Sequence, residues 1–309
     1  MALWTLLPGQ RKRLNFTPQE IMFLSSILGM PPNNVFFVHS GTGANAADRG
    51  QRDQPLASFN YANTLCTAAK GDVIVGLPGH VEPISGAGSL TMDKSGVTIV
   101  GLGTGLQRPI LDFTNTAGTI EMDAAYTRIS NCVFRANVSA VVVGVNVDAD
   151  YCEIDNCYST FDATGDDHVI LLDVTSVSHA YIHDNLFTTE VTAGADSCIK
   201  LTAASFARVH NNEFRGTWAK APIVGETTLS LGLSIVGNII HNSDTSVYNG
   251  LDLGAVSSTG IVAGNQVTAL YATAVVKLVR LGNASWLNNH FCNAIEERST
   301  TLVPGTSSN

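Results

Sequence analysis

This sequence predicts an all-β chain, wound as a single-stranded right-handed parallel β-helix of about eight or nine coils with about three short strands in each. Three observations predict it. A six-residue phrase recurs seven times between residues 127 and 293. Each copy places a residue that tolerates left-handed backbone just ahead of a conserved-looking slot for Asn or Cys. Nothing in the repeat has helical spacing, and a period in this range is the signature of a solenoid.

The phrase begins with Ile or Val, continues through one polar residue and a corner residue, and then reaches the slot. One copy is Ile182-His183-Asp184-Asn185-Leu186-Phe187, and another is Val209-His210-Asn211-Asn212-Glu213-Phe214. The slot holds Cys132, Cys157, Asn185, Asn212, Asn238, Asn265 and Asn289, at steps of 25, 28, 27, 26, 27 and 24 residues. Such a pattern reads as strand, sharp corner, strand. The repeated Asn is expected to stack on its counterpart in the next coil and to hydrogen-bond along the stack, with Cys132 and Cys157 filling the slot as small buried groups.

The chain divides into three parts. Residues 1–34 lie outside the repeat. There Thr17-Pro18-Gln19-Glu20 is a capping box with Pro at the first helical position, opening a short helix that Gly29 and Pro31-Pro32 stop. Trp4, Leu6, Leu7, Phe16, Ile21 and Leu24 with the basic run Arg11, Lys12 and Arg13 suit either a cap over the first coil or a docking arm that binds a partner. Residues 35–298 form the β-helix. Its entry runs from a first strand at Val35-Phe36-Phe37-Val38 through a turn-rich loop to a helix at about 58–70, with Phe59, Ala62, Leu65, Cys66 and Ala69 on one face. Gly71-Asp72 and an apolar strand follow. Residues 299–309 read as a loose tail or a thin cap.

This order of turn loop, proline, amphipathic helix, Gly-Asp and apolar strand, together with the repeats, resembles the pectin-lyase-like β-helices from about residue 35 to 298. The resemblance implies the fold; it leaves function open among lyases, hydrolases, phage tailspikes and virion structural proteins. It further implies side-by-side homotrimers for short, smooth-sided members of viral origin. A polygalacturonase-like hydrolase would add Asn-Thr-Asp, Gly-His-Gly and Arg-Ile-Lys motifs on successive coils, and this sequence has none of them.

Composition narrows the function. Lys+Arg number 17 against 26 Asp+Glu, a net charge of −9, which argues against general nucleic-acid binding, because that rests on clustered cations. No stretch of 18 apolar residues suggests a membrane span, and no secretory signal is recognised: the basic run follows the apolar tip instead of preceding it. Six cysteines without metal-like spacing read as free, mostly buried thiols, and no cofactor or metal is expected. One constellation carries possible chemistry: Asp166, Asp167 and His168, at an expected loop tip. Paired carboxylates beside a histidine suit general acid–base work or Ca²⁺; the plainer alternative is a solvated acidic turn. His179, His183 and His210 read as turn or surface histidines, 183 and 210 being one coil apart and expected to stack. The apolar runs Val141–Val143, Ile170–Leu172 and Val275-Val276 exceed what one alternating face needs, and so suggest a strand buried on both sides or a subunit contact.

Together these readings point to a non-enzymatic phage virion protein, a trimeric cement or decoration protein assembled in the host cytoplasm, with a further copy of itself and the major capsid protein as partners. The alternative is a tailspike-like protein that binds or degrades host polysaccharide.

Overall fold

The computed structural model describes residues 33–189, 194–226, 228–244, 250–253, 257–269, 279–280 and 282–293. The proposed docking residues Trp4, Leu6, Leu7, Arg11, Lys12, Arg13, Phe16, Ile21 and Leu24 lie outside this set, as do Val275, Val276 and the tail.

The described chain is a parallel β-solenoid built from three sheets of ten, nine and eight strands. Each coil visits the first, second and third sheet in turn. Seven coils have all three strands fully described, slightly fewer than the eight or nine expected.

Register explains the stacking. In the first sheet Ile74, Ile99, Ile129, Ile154, Ile182, Val209, Ile235 and Val262 lie one above another. All are buried, and each such side chain contributes about 1.5–3 kcal/mol. A one-residue slip would turn this column to solvent, so the alternation fixes register. Phe187 and Phe214 continue the core on the second sheet.

The corner between the first and second sheets needs left-handed backbone. Asn131, Asn156, Asp184, Asn211, Gly237, Gly264 and Asn288 supply it, with φ of 56, 51, 56, 53, 70, 64 and 50°. The residue after each enters the interior. Asn185 donates from Nδ2 to Ile154 O (2.9 Å) and to Asn212 Oδ1 (2.9 Å), and its backbone N–H reaches the same Oδ1. Asn212, Asn238 and Asn265 repeat this arrangement up to Asn289. Cys132 and Cys157 are buried below, and Cys157 N–H donates to Asn185 Oδ1 at 2.8 Å. Burial pushes the Cys157 thiol up to about 12, so it is inert.

Two expectations need correction. The entry helix spans only Phe59–Leu65, capped by Ser58, and not 58–70. Its buried face is Phe59, Ala62 and Asn63 with Cys66 beyond, whereas Ala69 is exposed at φ 57°. The helix stops because the buried Asp72 carboxylate draws the chain aside: Thr67 N–H donates to it at 2.7 Å while Asn34 N–H and Nδ2 donate to its other oxygen. The apolar run at 141–143 is split, with Val141 buried and Val142 58% exposed, while Leu171 and Leu172 are both buried.

Candidate functional site

Asp166, Asp167 and His168 are not a solvated acidic turn. Asp167 sits inside the wall between coils. Its Oδ1 accepts from His168 N–H (2.8 Å), and its Oδ2 accepts from Thr189 Oγ1 (2.5 Å) and Ala195 N–H (3.1 Å) of the next coil. His168 begins a third-sheet strand and points inward, edge-on to Phe113 at 4.8 Å. Burial pushes its imidazole down to about 3, so it is neutral throughout the physiological range. Asp166, half-buried, accepts from Ala163 N–H within its own turn. The three do not converge on a common outward point, and Asp167 is a brace between coils.

A second group lies on the outward face of the first sheet. Arg128, Glu153, Tyr181 and Arg208 form one row, and Ser130, Asp155, His183 and His210 the next. Arg128 grips Asp155 through Nε (2.6 Å) and Nη2 (2.8 Å), and Ser130 Oγ and Asn156 Nδ2 add donors. Burial raises the Asp155 carboxyl, but these bonds outweigh it and hold the group below the usual range. His183 donates or accepts between Glu153 (2.9 Å) and Asp184 (2.7 Å); burial opposes its protonation, and the two carboxylates still lift it above its ordinary value. His183 and His210 stand one above the other, one coil apart as expected; the His183 ring stacks on Tyr181 at 3.9 Å, while His210 meets Tyr181 edge-on and bonds Ser234 Oγ. Glu153, Asp155 and His183 lie close enough to share a cation, yet Arg128 already occupies both oxygens of Asp155. Glu121, Asp123 and Asp148 form a further acidic group, where burial and mutual repulsion raise Asp123 and Asp148.

Beside the Asn corner lies an open groove of about 550 Å³, lined by Arg108, Tyr158, Asp184, Leu186 and Glu213 among others. Arg108 arrives from the turn Gly103–Arg108 and donates through Nη1 to Asn156 O at 2.9 Å.

One feature was missed in the sequence. At the corner between the third and first sheets, Tyr126, Tyr151, His179 and Phe206 take left-handed φ of 62, 60, 62 and 55°. Their rings stack in a column, with centroids 4.7, 4.7 and 5.2 Å apart. Each stands six positions ahead of Cys132, Cys157, Asn185 and Asn212, so the signal was present at the same period.

No family model matches the chain. No curated protein matches it either. Among solved structures it is similar to a pectate lyase, with 13% identity, 87% of this chain and 79% of that chain covered, and a TM-score of 0.48. It is also similar to a rhamnogalacturonan lyase (12% identity, 82% and 87% covered, TM-score 0.42) and to a periplasmic alginate epimerase (13%, 71% and 50%, 0.34). At such identities the likeness concerns backbone architecture and says nothing of chemistry on this surface.

What the surface does chemically follows from its own bonds. Lys200 is paired with Asp173 at 3.0 Å, and Lys220 bridges Asp196 and Glu226 at 2.7 Å each. Arg135 joins Asp112 and Asp162. These ion pairs tie one coil to the next.

Proposed function

We propose that the chain is a non-enzymatic structural protein of a phage virion. In this reading the β-helix is a shaft that bundles with two further copies. Phe59–Leu65 covers its first coil, and residues 1–34 dock the bundle onto the major capsid protein as cement or decoration. The observation that carries the reading is the state of the acid–base constellation that the sequence singles out: Asp167 is consumed by three inward hydrogen bonds and His168 is a neutral core residue. A wall whose charges are spent on joining coils suits a stiff scaffold better than a reacting surface. The test is binding of the full-length protein to expanded, DNA-free phage shells, beside an Arg11→Glu, Lys12→Glu, Arg13→Glu variant. Saturable binding by the wild type and its loss in the variant support the arm as the docking device. Absence of binding by both contradicts it.

A second reading, a tailspike-like polysaccharide binder or depolymerase, is favoured by the groove. Arg108 there has a buried Nε with no acceptor among the described residues, and Asp184 and Glu213 share the groove with it. Retention or cleavage of host polysaccharide, abolished by Arg108→Ala and Glu213→Gln together, would establish it in place of the first.

A further inference from the structure

We propose that the column Tyr126–Tyr151–His179–Phe206 is the seam along which copies of this chain meet side by side and parallel; this rests on the self-association in the reading above. The first argument is conformational. Bulky residues are strained in left-handed backbone, and glycine makes the same turn without strain in the coils just outside the column, at Gly96 (φ 73°) and Gly232 (φ 65°). The turn therefore does not require the rings. The second is exposure: Tyr126, Tyr151 and Phe206 are 60, 43 and 52% exposed, and Leu229 and Leu231 extend the apolar stripe in the next coil. The third is ring orientation. Stacking consumes the ring faces inside the column and turns their edges outward, so the column is not a planar platform for a sugar.

The choice of a second copy as the occupant comes from periodicity and charge. A straight column with one ring per strand spacing, about 4.8 Å, is met at every rung only by a surface with the same repeat. A parallel copy has that repeat at equal heights. Around an axis along the shaft, the third-sheet side of one copy faces the first-sheet side of the next. On the rung of Tyr126 this turns exposed Asp123 toward Arg128, whose guanidinium is already held by Asp155 and Glu153 of its own chain, so the juxtaposition is of favourable sign without a new ion pair. An antiparallel copy would instead oppose Arg128 to Arg208. The three exposed rings, of 150–250 Å² each and about half exposed, offer about 300 Å². That is well under half of the ~800 Å² per partner in a standard interface, so the seam needs Leu229, Leu231 and its flanks to complete the contact.

The test compares the full-length protein with a Tyr126→Gly, Tyr151→Gly, Phe206→Gly variant by sedimentation. Glycine keeps the turn and removes the ring, so circular dichroism is expected to stay unchanged while association weakens at least tenfold. A Val142→Thr, Ile261→Thr variant, altering exposed apolar residues elsewhere, is expected to keep the wild-type mass. Oxidation of a Tyr151→Cys variant gives a second readout that does not depend on the triple variant folding: a parallel seam links position 151 to itself between copies, and covalent dimers form. A triple variant of wild-type mass, or a Tyr151→Cys protein that stays uncrosslinked while assembled, overturns the seam and leaves self-association standing. A wild type that sediments as a single chain at every concentration overturns both.

Discussion

Replacing Asn212 by Ala is expected to be among the most costly single changes in the wall. The Asn212 side chain accepts from Asn185 N–H (3.1 Å) and Asn185 Nδ2 (2.9 Å), and donates to Ile182 O (2.9 Å) and Asn238 Oδ1 (3.1 Å). Alanine strands two buried donors of Asn185, at about 1–3 kcal/mol each, and forfeits the net worth of the two donated bonds, about 1 kcal/mol each. Some relaxation offsets this, leaving about 3–6 kcal/mol. Asn289→Ala removes the same kind of bond where the ladder is only half-buried and water can replace the amide, so about 1–2 kcal/mol is expected there. Urea unfolding at pH 7, followed by circular dichroism and by the buried Trp218, measures both. Asn212→Asp adds a sign. Its carboxylate would face Ile182 O and Asn238 Oδ1, so its folded pKa lies above its unfolded one. Its deficit against wild type then grows as pH rises past about 4 and shrinks as pH falls. A cost at Asn212 below about 1 kcal/mol, or equal costs at 212 and 289, would refute the ladder as a main source of coil-to-coil cohesion.

Further predictions rest on single contacts. His168 is held at about 3 in the fold against about 6.5 unfolded, so its contribution is complete above pH 6.5 and is lost as pH falls toward 3. Wild type is expected to lose about 3 kcal/mol from this group between pH 7 and 4, and His168→Leu to lack that loss in paired denaturation curves. Arg128→Ala leaves the buried Asp155 carboxylate unpaired and is expected to cost about 3–5 kcal/mol at neutral pH, as read from the urea midpoint. Since the Asp155 carboxyl is depressed, that contribution is present above the ordinary carboxylate range and lost as pH falls through its folded value, so the variant's deficit narrows in acid. Gly43→Ala would place a methyl 2.1 Å from Leu56 O and 2.4 Å from His39 O, both backbone atoms, and is expected to give little soluble protein on expression.

Much of the fold was legible because the Asn corner combines two independent demands. A left-handed corner favours Asn, Asp and Gly, and an interior amide that must reach both its own coil and the next restricts the following slot to Asn or a small substitute. The opposite corner has the same backbone geometry but tolerates Tyr, His, Phe and Gly, so it leaves a period without a recognisable word. Asp167 and His168 look like turn residues because their neighbours Gly165 and Asp166 are. Their depth is decided by Thr189 and Ala195, donors more than twenty residues downstream, which no local pattern reveals. The spacing of Leu65, Cys66 and Ala69 predicts a longer helix after Ser58 for a similar reason, and the buried Asp72 carboxylate ends it at Leu65.

The central claim is a shaft that works as an assembled, non-catalytic element, and native mass spectrometry of the full-length protein tests it most directly. The account predicts a dominant species of three times the 32.6 kDa chain mass. A single-chain species at all concentrations, accompanied by polysaccharide cleavage that Arg108→Ala abolishes, would contradict it.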